Sequence, residues 1–122
     1  MFGSLKRNSY ICSVINKLNK LKVMNMEYKI YQLKDNEEAR KYMFRRYNEN
    51  DVPRIYLYDV VYSGDVEAGD SVEDTLEGLY MTFNVNHPSD FKGHSLSVSD
   101  VIELDDKHYY CDSFGFKRIN LK

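Results

Sequence analysis

The residues with most capacity for chemistry lie close together: His87, Asp90, His94, Ser95, Ser97, Ser99 and Asp100 fall in one short passage, interleaved with Phe91 and Gly93. His87, Asp90, His94 and Asp100 are ligand types for a divalent cation, and a metal-dependent hydrolase or nuclease would draw on such a set. Their spacing matches no zinc pattern such as His-Glu-x-x-His on a helix. Ser95 beside His94 is a poor nucleophile and base, because adjacent residues on an extended chain point to opposite faces. The Gly-x-Ser-x-Gly motif is absent, as are phosphate loops of the P-loop and dinucleotide types. Cys111 and His108, three apart on a strand, face opposite ways too, so a buried, inert thiol is expected.

A structural role accounts for the same cluster. Ser97 and Ser99 alternate with Leu96 and Val98, so their hydroxyls can satisfy backbone at a strand entry while the apolar side chains turn inward. Asp100 can cap the turn into Val101-Ile102, Gly93 can supply a conformation other residues resist, and His94 can tie the loop down. No catalytic residue, metal ligand or cofactor is assigned. The candidate binding loop consists of His87, Asp90, Phe91, Gly93, His94, Ser95, Ser97, Ser99 and Asp100.

The elements that must position this loop follow from periodicity. Tyr28, Ile30, Tyr31 and Leu33 mark a first strand over Glu27 to Leu33. Asp35 with Glu38 predicts a helix start, and Ala39, Tyr42, Met43 and Tyr47 continue it at helical spacing, with Arg40, Lys41, Arg45 and Arg46 outward. Arg54 to Tyr62 alternates with both faces largely apolar, which predicts a central strand ended by turns at Gly64 and Gly69. Ser71-x-x-Asp74 opens a second helix with Val72, Leu76, Leu79, Tyr80 and Phe83 on one stripe. Gly78 within it suggests close approach of another element. His87-Pro88 closes that helix near Asn84. Strands at Leu96 to Leu104 and Lys107 to Cys111, joined through Asp105-Asp106, and a last strand over Phe116 to Leu121 complete the chain. The Asp105-Asp106 turn type stays open. The order β-α-β-α-β-β(-β) describes one small α+β domain with two helices and a mixed or mostly antiparallel sheet of four to five strands.

Charge is divided unevenly. Residues 1–25 form a basic extension, and residues 26–122 form the domain. The first 24 residues carry Lys6, Arg7, Lys17, Lys20 and Lys22 and no acid, leaving 12 basic against 19 acidic residues, about −7, for the remainder. Ile11, Val14, Ile15, Leu18 and Leu21 recur at offsets of three and four. A short basic amphipathic helix serving as an anchor and a disordered appendage are both open readings. An acidic, tyrosine-rich body repels duplex nucleic acid and suits a protein partner, or mimicry of nucleic acid against a DNA-handling enzyme. Two cysteines, Cys12 and Cys111, without a disulfide framework, and no apolar run of membrane-span or signal-peptide type, point to a cytoplasmic protein.

The strings Met26 to Lys34, Asp65 to Gly69, His87-Pro88-x-Asp90-Phe91-x-Gly93-His94-Ser95-Leu96-Ser97-Val98-Ser99-Asp100-Val101-Ile102 and Tyr109 to Phe116 resemble YodL-like domains. The resemblance covers about residues 26 to 119. It implies small modules of Firmicutes, their mobile elements and phages, and carries over no catalytic residue or cofactor. The expectation is a non-catalytic adaptor or modulator that binds a host or element-encoded protein through the His87 to Asp100 loop.

Overall fold

The computed structural model describes residues 25–122. The basic N-terminal segment and the helix expected in it lie outside the described residues. Five strands, β1 (Asn25–Leu33), β2 (Tyr58–Glu67), β3 (Val101–Leu104), β4 (Lys107–Cys111) and β5 (Phe116–Ile119), form one sheet. Its order is β2-β1-β3-β4-β5, with every neighbouring pair antiparallel. β2 and β3 both run against β1, so they run parallel to each other on either side of it. Strands so arranged need a crossover, which is supplied by helix α2 (Val72–Val85) and the loop after it.

Period-two alternation divides the core into two faces. On one, Tyr28 and Ile30 of β1 join Leu76, Leu79 and Phe83 of α2 with Phe91, Leu96, Ile102 and Leu104. On the other, Tyr31 and Leu33 pack with Ala39, Leu57, Tyr58, Val101, Tyr110 and Ile119. β1 and β3 are therefore buried on both sides, with Val101 of β3 on one face and Ile102 and Leu104 on the other. The run expected to be central, Arg54 to Tyr62, instead begins with a 3-10 turn at Ile55–Leu57 and continues as the edge strand β2, through Gly64 to Glu67. Ile30 pairs with Tyr62 and Tyr31 with Val60, so Val61 is an extra residue and the alternation breaks there. Val61 and Tyr62 then both pack against the α2 side of the core, whereas Tyr56 and Val60 are exposed.

Helix α1 is shorter than its pattern predicts, spanning only Glu37–Arg40. Asn36, not Asp35, caps it: the Asn36 Oδ1 accepts from the Ala39 amide at 2.8 Å, while Asp35 pairs with Arg40. The chain then tightens, with the Tyr42 amide donating to the Ala39 carbonyl, and Phe44 turns left-handed at φ 61°. Tyr42, Met43 and Tyr47 still pack on the second core. Their spacing reflected burial without continuous helix.

Helix α2 begins as expected, with the Ser71 hydroxyl accepting from the Asp74 amide, and buries Leu76, Leu79 and Phe83. Val72, expected on the buried stripe, is exposed. Gly78 meets no close element among the described residues, since a Cβ there would have nothing within 4 Å. The strand expected from Leu96 starts only at Val101, because Ser97 to Asp100 form a turn. Asp105 and Asp106, at φ 53° and 67°, close the β3–β4 hairpin as a type I′ turn, with Leu104 paired to Lys107. Among the described residues no helix is long and apolar enough to cross a membrane.

Candidate functional site

Gln32 of β1 supports the loop from Asn86 to Asp100 from beneath. Its amide donates to the His94 carbonyl at 2.8 Å and to Asp100 Oδ2 at 3.2 Å, and its Oε1 accepts from the His94 amide at 3.2 Å. Asp100 also accepts from the Ser97 amide at 3.0 Å, and the Asp100 amide donates back to the Ser97 carbonyl. These bonds pair the buried side chains of Gln32 and Asp100, as burial requires.

Ser99 is the second fixed point. It adopts φ 89°, a conformation costly for a side chain with Cβ, and three elements hold it there. Its amide donates to the Cys111 carbonyl at 3.0 Å, its carbonyl accepts from the Tyr58 hydroxyl at 2.7 Å, and its hydroxyl accepts from the Phe44 amide at 3.0 Å. The left-handed position thus belongs to Ser99 and not to Gly93. Gly93 is required for space: a Cβ there would lie 2.4 Å from Gln32 Oε1 and 2.9 Å from the Phe91 ring.

Apolar contacts anchor the loop's first half. Phe91 is buried against Phe83, with ring centroids 4.8 Å apart, and Tyr62 and His87 lie edge-on to it. The Tyr62 hydroxyl donates to Asp90 at 3.0 Å. Of the nine candidate residues, Phe91, Ser99 and Asp100 are buried, Gly93 and Ser97 are half-buried, and His87, Asp90, His94 and Ser95 are exposed.

Burial pushes the Asp100 carboxyl up to about 7, against the opposing pull of the Ser97 amide, His94 and Gln32. Burial likewise pushes the Cys111 thiol and the Tyr58 hydroxyl upward. His94 Nδ1 lies 2.7 Å from the Ser95 carbonyl and His87 Nδ1 lies 2.9 Å from that of Pro88, contacts suited to an Nδ1–H donor. Among the described residues no three or more His, Cys, Asp or Glu come together as a group that could hold a metal ion, so His87, Asp90, His94 and Asp100 are not gathered into such a group. His108 pairs with Glu103 at 3.1 Å, leaving buried Cys111 without a base from that residue.

Two features escaped sequence reasoning. Gln32 carries no motif, and its partners lie 62 and 68 residues away. A polar group on the opposite face joins Tyr31, whose hydroxyl donates to Glu103 at 2.6 Å, with His108. Burial, followed by the Glu103 carboxylate, pushes the Tyr31 hydroxyl upward. Glu103 and His108 are cross-strand partners, a relation visible only once the hairpin register is known.

A family model described as the YodL-like domain matches residues 27–121, from within β1 to the last buried side chain, Leu121. The chain belongs to this family. The matched span of the YodL-like domain takes in both helices, the Gln32-supported loop and all of the sheet but its first residues. No curated protein and no solved structure matches the chain.

Proposed function

We propose that this YodL-like domain is a non-catalytic protein-interaction module whose contact surface includes His87, Asp90, His94 and Ser95. The observation that carries this reading is the loop's support: Gln32, Tyr58 and Cys111 bond its backbone and Phe44 bonds the Ser99 hydroxyl, from four parts of the chain. Gln32, Ser99 and Asp100 are engaged in that support, while the four exposed side chains are presented on a backbone held by it. Ordering before contact lowers the entropy lost on association, which favours recognition by such a loop. Domains 1–25 and 26–122 then act as an extension and a binding unit.

The test is affinity capture with the full chain, followed by titration of the recovered partner against an Asp90→Ala, His94→Ala variant checked for folding by circular dichroism. At least a tenfold loss of affinity is expected. Unchanged affinity in a folded variant overturns the loop's role.

A further inference from the structure

The turn between β4 and β5, Asp112 to Gly115, ends the sheet between two layers of opposite charge. On the α2 side a groove of about 450 Å³ is lined by Glu77, Tyr80, Met81, Asp112 and Phe116 among others, with no Lys or Arg in its walls. The Glu73 carboxylate lies beside Gly115 on the same side. On the other face, Tyr47 packs against the second core and its amide donates to Asp112 Oδ1 at 3.0 Å, which ties the segment from Phe44 to Tyr47 to this turn. Against the effect of burial, the Tyr47 and Ser113 amides and then Arg46 and Lys117 hold the Asp112 carboxyl below its usual range, which sets both cations beside the turn.

Both signs of charge face water here. Glu73, Glu77, Arg46 and Lys117 are exposed, and none of them enters an ion pair among the described residues. The apolar groups beside them are bare too: Met81 is 63% exposed, Phe44 69%, and Phe114 in the turn 86%. Phe44 is held at φ 61°, where glycine would sit without strain, because its amide is bonded to the Ser99 hydroxyl and the Arg45 carbonyl accepts from the Tyr110 hydroxyl. That strain presents a ring to solvent and adds nothing to the core. Large apolar side chains left in water among unpaired charges mark a contact surface.

We propose that this end of the domain is a self-complementary surface through which two copies of the chain form a closed dimer. A two-fold axis lying in the plane of the sheet and passing the tip of the turn sets the acidic side of one copy, Glu73 and Glu77, against the basic side of the other, Arg46 and Lys117, and repeats the match in the reverse sense. Phe114 lies nearest the axis and meets its twin, while Phe44 of one copy covers Met81 of the other. Charge complementarity selects a second copy, because one chain supplies both signs and each side is matched by the other; a polyanion is repelled by Glu73 and Glu77. The contact goes beyond the loop's role and leaves His87, Asp90, His94 and Ser95 outside it.

The experiment is sedimentation of the full chain over a range of concentrations, with reductant present so that Cys12 cannot cross-link two chains. The mass is expected to rise from one chain to two and no further, and added salt should weaken the association. Phe114→Asp, at an exposed position, should weaken it at least tenfold. Glu77→Lys and Arg46→Glu, each checked for folding by circular dichroism, should also weaken self-association, because a dimer of either variant brings like charges together. An equimolar mixture of those two variants should restore dimers as mixed pairs, which a general loss of stability would not do. A chain that stays monomeric at every concentration, assembly beyond two, or a mixture that fails to associate overturns the proposal. So does a dimer indifferent to Phe114→Asp, since the contact would then lie elsewhere, at the N-terminal segment or the edge of β2.

Discussion

The side-chain amide of Gln32 lies 3.2 Å from the buried carboxylate of Asp100, joining the first strand to the end of a loop 68 residues later. Gln32→Leu removes a donor from both Asp100 and the His94 carbonyl and leaves the His94 amide unpaired. A loss of about 1–3 kcal/mol is expected from stranded buried polar groups, measured by urea unfolding. Gly93→Ala should cost a similar amount, about 1–3 kcal/mol, through overpacking against Gln32 and Phe91. A neutral result for both would mean the loop is not held from below.

Asp100 gives the fold a distinctive pH response. Its carboxyl is raised from 3.8 to about 7 in the folded chain, so the native state holds the proton more tightly than the unfolded state. Its contribution is fully present below about pH 4 and is lost as pH rises toward 7, each pKa unit corresponding to about 1.4 kcal/mol. Asp100→Asn, which retains an oxygen for the Ser97 amide, should therefore gain stability relative to the parent as pH rises through this window. A stability difference that does not change with pH contradicts the burial argument.

The β3–β4 turn offers a stabilising change. Asp105 and Asp106 both sit at positive φ, and Asp106 is exposed. Asp106→Gly removes the left-handed strain on Cβ and is expected to raise stability by about 1 kcal/mol, allowing for glycine's greater freedom when unfolded. The unfolding midpoint should shift upward with an unchanged denaturant slope.

Cys111 is 1% exposed, and burial pushes its thiol upward. A thiol reagent should leave it unmodified in native buffer and label it fully in denaturant, as read by peptide mass spectrometry. Rapid native labelling would place Cys111 outside the core.

Local signals in the sequence located α2, β1 and β4 well, because each depends on contacts its own pattern anticipates. Ser71 caps α2 and Leu76, Leu79 and Phe83 bury one stripe; Tyr28 and Ile30 oppose Tyr31 and Leu33 across β1. The failures are non-local. Whether an apolar strand is central or at the edge depends on which strand pairs beside it, and the bulge at Val61 let one side of β2 resemble two. Ala39, Tyr42 and Met43 have helical spacing because they share a buried face, but Phe44 leaves the helical region with its amide fixed by Ser99, 55 residues away. The candidate loop was legible as a polar cluster ahead of β3, although the strand begins at Val101 and not at Leu96. Its supporting residues, Gln32 and Tyr58, could not be found, since neither belongs to a motif.

The extra residue at Val61 has a colloidal consequence. As an outer strand of the sheet, β2 has an edge that pairs with no other strand among the described residues, and a second chain could extend it by adding a strand. The kink interrupts the regular run of this edge, and Asp59, Asp65 and Glu67 set like charges along it. Two copies meeting at this edge would have to tolerate both a register fault and mutual repulsion. The same irregularity that obscured the strand's pattern thus discourages it from seeding fibres.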